Sequence, residues 1–181
     1  MWHFLKYMIQ LLLSPARGWE DVSASIPNPD ELQRRGFCPW VGVAAVSELL
    51  PWLYNHTEGF LAALESVIAI GAALFASLYV GRLFLGMALP KFIRQEVNPA
   101  KLNVFITYLM GINCLFLIFV NAMPASMTFL RLLPLLSVII IFKSTAYLGI
   151  DEENQLSFTG LASVAVIVLP MVLGALLLFL I

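Results

Sequence analysis

Apolar and polar positions alternate along this chain in long blocks: apolar runs separated by short polar links. A helix rises about 1.5 Å per residue and the hydrocarbon core of a bilayer is about 30 Å thick, so about 20 apolar residues are needed to cross it. Five runs approach or exceed that length, at residues 37–54, 60–82, 103–123, 127–149 and 158–181, and each is read as a transmembrane helix. The second run continues apolar to residue 89, with Glu65 and Arg82 as its only charges. At about 45 Å it outreaches the hydrocarbon. It carries Ala69, Ala73, Ser77 and Gly81 four residues apart, a small-residue stripe of the kind on which membrane helices pack closely or self-associate. The pattern makes it the central span. The link at residues 55–59 is so short that the first two spans form an antiparallel hairpin.

Residues 1–36 differ in pattern. Residues 2–13 place His3, Lys6 and Gln10 on one narrow face and apolar side chains elsewhere, which suits a helix lying in the membrane interface. Packing beneath the bundle is the alternative. Ser14-Pro15 restarts a helix, with serine as N-cap and proline at the first helical position. Trp19 is an interfacial residue type, and Glu20 and Asp21 suit the first turns. Ile26-Pro27-Asn28-Pro29 ends that helix, and residues 30–36, with Arg34 and Arg35, form a polar approach to the membrane. The expected architecture is all-α and polytopic: a cytoplasmic interfacial helical segment over residues 1–36, then a five-span domain over residues 37–181.

Composition agrees with this reading. The chain is 61% hydrophobic and 12% charged over 181 residues, with a mean hydropathy of +0.91. A soluble domain is nearer half apolar and a quarter charged. Charge therefore matters by position. On the five-span reading nine of the ten lysines and arginines fall on one side, and only Arg131 falls on the other. The positive-inside rule then puts the N-terminus in the cytoplasm and the C-terminus on the far side.

Charges inside the membrane each need a reason. Arg82 and Lys143 sit close enough to the cytoplasmic ends of their spans to snorkel. Glu48, Glu65 and Arg131, counted from the outer ends of theirs, share one depth in the outer third. They are the candidate intramembrane cluster, read as an ion pair that fixes helix register, as a proton or ligand site, or as three groups that make no contact. Asn113, near the middle of the third span, joins them as a polar residue within the bundle, and Asn121 lies near the outer end of the same helix. Interhelical hydrogen bonding is the simpler reading of both.

Catalytic signals are missing. There is no H-E-x-x-H, G-x-S-x-G, Walker loop or dinucleotide glycine pattern. Cys38 and Cys114 lack metal spacing, His56 with Glu58 offers too few ligands for a metal, and no basic patch suits nucleic acid. Asn55-His56-Thr57 matches a glycosylation sequon but sits against the membrane. No catalytic, cofactor or metal site is assigned, and a non-enzymatic role is expected.

The layout resembles the Yip/Yif family, whose eukaryotic members interact with Rab-type GTPases. The likeness rests on Leu11-Leu12-Leu13-Ser14-Pro15-Ala16-Arg17-Gly18-Trp19-Glu20-Asp21-Val22, similar to a P-x-x-x-W-x-x-I/V segment of bacterial members. It also rests on a cytoplasmic N-terminal stretch, five spans and almost no C-terminal tail. Gly36-Phe37-Cys38-Pro39-Trp40 and Tyr108-Leu109-Met110-Gly111 stand near the positions of two eukaryotic motifs without matching them. The resemblance therefore implies a compact bacterial member in the inner membrane, and the unmatched motifs put GTPase binding in doubt. The expected function is to organise or shape the membrane or to scaffold membrane-protein partners, with the bilayer itself and a second copy among the partners. A small transporter or channel component, with Glu48, Glu65, Arg131 and Asn113 lining a polar path, is the alternative.

Overall fold

A computed structural model describes residues 2–55, 59–93, 98–123 and 128–180. Among them there is no strand. The chain order is α1 (Trp2–Leu13), α2 (Pro15–Ser25), α3 (Pro29–Tyr54), α4 (Phe60–Lys91), α5 (Pro99–Ala122), α6 (Leu132–Lys143) and α7 (Glu152–Leu180). Helices α3, α4, α5 and α7 are long and apolar enough to cross a membrane. The protein is thus an all-helical polytopic membrane protein.

Asparagine–proline pairs start two of the long helices. Asn28 accepts hydrogen bonds from the backbone N–H groups of Asp30 and Glu31, and Asn98 from those of Ala100 and Lys101. In each case proline follows at the first helical position, where its missing N–H costs nothing. Asn28-Pro29, expected only to end α2, therefore also begins α3. Helix α3 runs on through residue 36, so the polar approach and the first span share one helix.

Two of the long helices contain a π turn, Leu32–Phe37 in α3 and Val164–Val168 in α7. Each lies just ahead of a proline, Pro39 or Pro170. A proline offers no N–H to the carbonyl four residues back, so the regular ladder cannot continue there. The backbone responds with five-residue hydrogen bonds, Cys38 N–H to Gln33 and Leu169 N–H to Val164.

The fourth expected span, residues 127–149, is broken. Thr128–Leu135 winds as a 3₁₀ helix around Pro134, Leu136–Lys143 is α-helical, and a turn at Ser144 precedes Thr145–Leu148. Its longest apolar helix, α6, reaches only about 18 Å. Among the described residues four helices are long enough to span, and the expected fifth is not confirmed, because Pro134 and the turn interrupt a run that hydropathy alone reads as continuous. After Leu148, Gly149 takes φ +75°, and Ile150 N–H bonds back to the Thr145 carbonyl. That closure needs the left-handed conformation glycine adopts without strain.

The centre of the bundle is α5, not α4. In the most apolar window of α5 61% of residues are buried, against 33% in α4. Helix α5 touches α1, α3 and α4 on different sides, while α4 keeps an exposed face bearing Leu61, Ile68, Phe75 and Tyr79. The small-residue stripe on α4 is used within the chain. Ala69, Ala73, Ser77 and Gly81 are all buried. A Cβ at Gly174 of α7 would lie 3.9 Å from Ala73, and one at Gly81 would lie 3.7 Å from Met110 of α5. The stripe is thereby closed to a second copy. The inner end of α4 buries Leu85 and Leu89, and Phe92 meets Phe158 edge-on.

Helices α1 and α2 form a hairpin docked across the inner parts of α3, α5 and α6. Phe4, Met8 and Leu11 of α1 and Trp19 and Val22 of α2 are buried in the common core. Phe4 stacks on Tyr108, with ring centroids 5.2 Å apart. Gly36 and Gly111 make the hollow for it: a Cβ on Gly36 would lie 2.8 Å from the Phe4 ring, and one on Gly111 would lie 2.6 Å from Phe4 and Met8. Trp19 stacks on Tyr147 and donates its indole N–H to the Ile140 carbonyl at 3.0 Å. The opposite face of α1 leaves Trp2, Ile9 and Leu13 exposed.

Candidate functional site

Three groups of polar side chains stand out among the described residues inside the bundle. The first surrounds Arg82, on α4 about 33 Å along the helix from Phe60. Arg82 was expected to snorkel to the interface. It turns inward instead, donating from Nη1 to Gln33 Oε1 at 2.8 Å and from Nη2 to Thr107 Oγ1 at 2.9 Å. The Thr107 hydroxyl is directed by donating to the Asn103 carbonyl at 2.6 Å. Gln33 in turn donates from Nε2 to the Tyr79 hydroxyl at 2.7 Å, and the guanidinium carbon lies 5.8 Å from the Tyr79 ring centroid. Arg82 therefore joins α3, α4 and α5. Gln33 sits inside the π turn ahead of Pro39, so that distortion and the polar contact occupy the same place. The cluster contains no carboxylate: among the described residues the salt bridge within 4 Å is Arg35–Glu31, on the exposed surface. Asp30 attracts Arg82 only at longer range.

The second group is towards the C-terminal ends of α3 and α5. Asn121 donates to Ser47 Oγ at 3.0 Å and to Glu48 Oε1 at 2.9 Å. Ser47 donates to the Ala44 carbonyl, whose usual helical donor, Glu48 N–H, bonds to the Ala45 carbonyl instead. The third group is a single contact in the middle of the bundle. Asn113 Nδ2 donates to the Val166 carbonyl at 2.5 Å. Val166 is four residues before Pro170, so its carbonyl lacks a helical donor and Asn113 supplies one.

Of the expected intramembrane cluster, Glu48 and Glu65 are not joined to each other. Glu48 pairs with Asn121 and not with Glu65, which is exposed on α4 and has no partner among the described residues. Arg131 lies in the 3₁₀ turn, and its side chain falls outside what is described. Asn113 bonds to α7, and no described hydrogen bond joins it to Glu48 or Glu65. Matching depths did not mean matching faces. Ser47, Gln33, Tyr79 and Thr107 were not singled out beforehand. The available signal was helical spacing: Tyr79 and Arg82, three apart, share an edge of α4.

No group of three or more histidine, cysteine, aspartate or glutamate side chains among the described residues could hold a metal, and Cys38 and Cys114 are free thiols. His56, Thr57 and Glu58, and with them the sequon, lie outside the described residues. On the surface of the N-terminal hairpin a polar recess of about 400 Å³ is lined by Lys6, Tyr7, Gln10, Asp21, Ala24 and Ser25, with Gln10 donating to Asp21. No family model, curated protein or solved structure matches the chain.

Proposed function

We propose that this chain is a non-enzymatic integral membrane protein that organises or shapes a bilayer, or scaffolds membrane partners, as its likeness in layout to compact Yip/Yif proteins implies. The observation that carries the reading is the docked N-terminal hairpin. Phe4, Met8, Leu11, Trp19 and Val22 fasten it to the bundle, while Trp2, Ile9 and Leu13 remain exposed on α1. A helix so held at the membrane surface inserts apolar side chains into one leaflet only, which couples it to curvature. In the orientation we favour, the hairpin lies on the cytoplasmic side of a bacterial inner membrane. The 3₁₀ turn and α6 together make a bent fifth crossing, which leaves the C-terminus on the far side.

Reconstitution into lipid vesicles tests the proposal. The wild-type chain is expected to narrow and tubulate vesicles as seen by electron microscopy. A Trp2→Ser, Ile9→Ser, Leu13→Ser variant, altered only on the exposed face, is expected to insert equally and leave vesicle size unchanged. Equal vesicle shapes for the two would count against membrane shaping.

A further inference from the structure

The Arg82 cluster has an imbalance that points to a ligand. Its hydrogen-bonding groups can be counted one by one. Arg82 has five N–H donors and uses two, on Gln33 and Thr107. Its Nε–H is buried with no partner. Gln33 has a second Nε2–H beyond the one given to Tyr79, and the Tyr79 hydroxyl, which accepts that bond, keeps its own O–H free to donate. The Thr107 hydroxyl proton is already committed to Asn103. What remains is a set of unused donors beside one full positive charge whose described hydrogen-bond partners are neutral.

Depth and exposure narrow the choice of anion. Arg82 lies about 33 Å along α4 from Phe60, one hydrocarbon thickness, which puts it level with the headgroups of the leaflet that carries the N-terminal hairpin. The cluster is open on one edge of α4, where Tyr79 is 45% and Leu83 68% exposed. A half-buried cation without a carboxylate at contact distance among the described residues calls for a counter-charge. Basic pockets between transmembrane helices take anionic lipid headgroups, and a guanidinium matches phosphate oxygens well.

We propose that Arg82, Gln33 and Tyr79 form a binding site for the phosphodiester of one anionic phospholipid in that leaflet. The phosphate oxygens accept from the free Nη–H groups of Arg82 and from the Tyr79 hydroxyl. The acyl chains run outward along the exposed apolar edge of α4 beside Tyr79. The lipid then bridges α3 and α4 where the π turn of α3 faces Arg82. This site is separate from the hairpin face assigned to membrane shaping, so either reading can fail alone.

Native mass spectrometry of the whole chain in neutral detergent tests the site with phosphatidylglycerol, phosphatidylcholine and inorganic phosphate as probes. Wild type is expected to retain one phosphatidylglycerol in preference to phosphatidylcholine, and inorganic phosphate at millimolar concentration is expected not to displace it. Arg82→Gln is expected to lower phosphatidylglycerol affinity at least tenfold. Should that variant not fold, Tyr79→Phe removes one donor from a partly exposed position and is expected to lower the affinity several-fold. Equal retention of both lipids by wild type, displacement by inorganic phosphate, or unchanged affinity in Arg82→Gln or Tyr79→Phe would each overturn the proposal.

Discussion

Adding one methyl group at Gly36 is expected to loosen the N-terminal hairpin. A Cβ there would stand 2.8 Å from Cγ and Cδ2 of Phe4 and 3.2 Å from its Cβ, where carbon atoms prefer about 3.5–4.0 Å. The ring has little room to retreat. It is stacked on Tyr108, and its far edge already faces Gly111. Overpacking of this kind costs about 1–3 kcal/mol, and loss of the stacked geometry adds about 0.5–1.5 kcal/mol. A total of about 2–4 kcal/mol multiplies the undocked population by roughly 30- to 1,000-fold. Trp19, Val22 and Met8 still hold the hairpin, so local opening is expected and not global unfolding. The assay is maleimide labelling of Leu11→Cys, a fully buried position, in a background carrying Cys38→Ser and Cys114→Ala. Labelling should accelerate by at least tenfold in Gly36→Ala. Gly160→Ala is the control, because nothing lies within 4 Å of the added Cβ. Equal labelling rates in parent and Gly36→Ala would refute the docking geometry.

Two further substitutions probe the contacts that hold the bundle. Trp19→Phe keeps a ring against Tyr147 but removes the hydrogen bond to the Ile140 carbonyl, which still accepts from Ser144 N–H. Unfolding in detergent should show a loss of about 1 kcal/mol, whereas Trp19→Ala should cost about 3–5 kcal/mol. Asn113→Leu leaves the Val166 carbonyl without its donor and should cost about 0.6–1.7 kcal/mol. In a Pro170→Ala background, where position 170 regains an N–H, that cost should fall towards zero, and a double-mutant cycle that comes out additive would reject the pairing of Asn113 with the proline's orphaned carbonyl.

The helical segmentation was largely legible from local signals. Ser14-Pro15 is a restart between α1 and α2 whether read by composition or seen in space, because proline at a helix start acts through its immediate neighbours. The break in the fourth apolar run was not legible for a physical reason: hydropathy sums side chains and does not register what Pro134 does to the backbone. Arg82 misled for another. A cation near the end of a span can reach the interface or turn inward, and the choice was made by Gln33 and Thr107 on other helices. Glu48 and Glu65 show the limit of counting residues from helix ends. Counting gives depth but not azimuth, and Glu65 proved to be on the exposed face of α4. Gly36 and Gly111, each close to an aromatic residue in sequence, were legible only as small residues. Their role as the two walls of the Phe4 hollow depends on a helix some thirty residues or more away.

The π turn at Val164–Val168 makes spacing in α7 an unreliable guide to facing. It spreads one turn over an additional residue, so a count of 3.6 carried across it is off by about 100°. Phe158 on one side and Gly174 on the other each meet their own neighbours, Phe105 and Ile70, only because that residue is absorbed locally. The same spot is where the chain can lose one residue and revert to regular winding with both halves of the helix still seated. A relative one residue shorter here, with an ordinary amide in place of Pro170, would keep the same packing and would have no need of an asparagine at the position of Asn113.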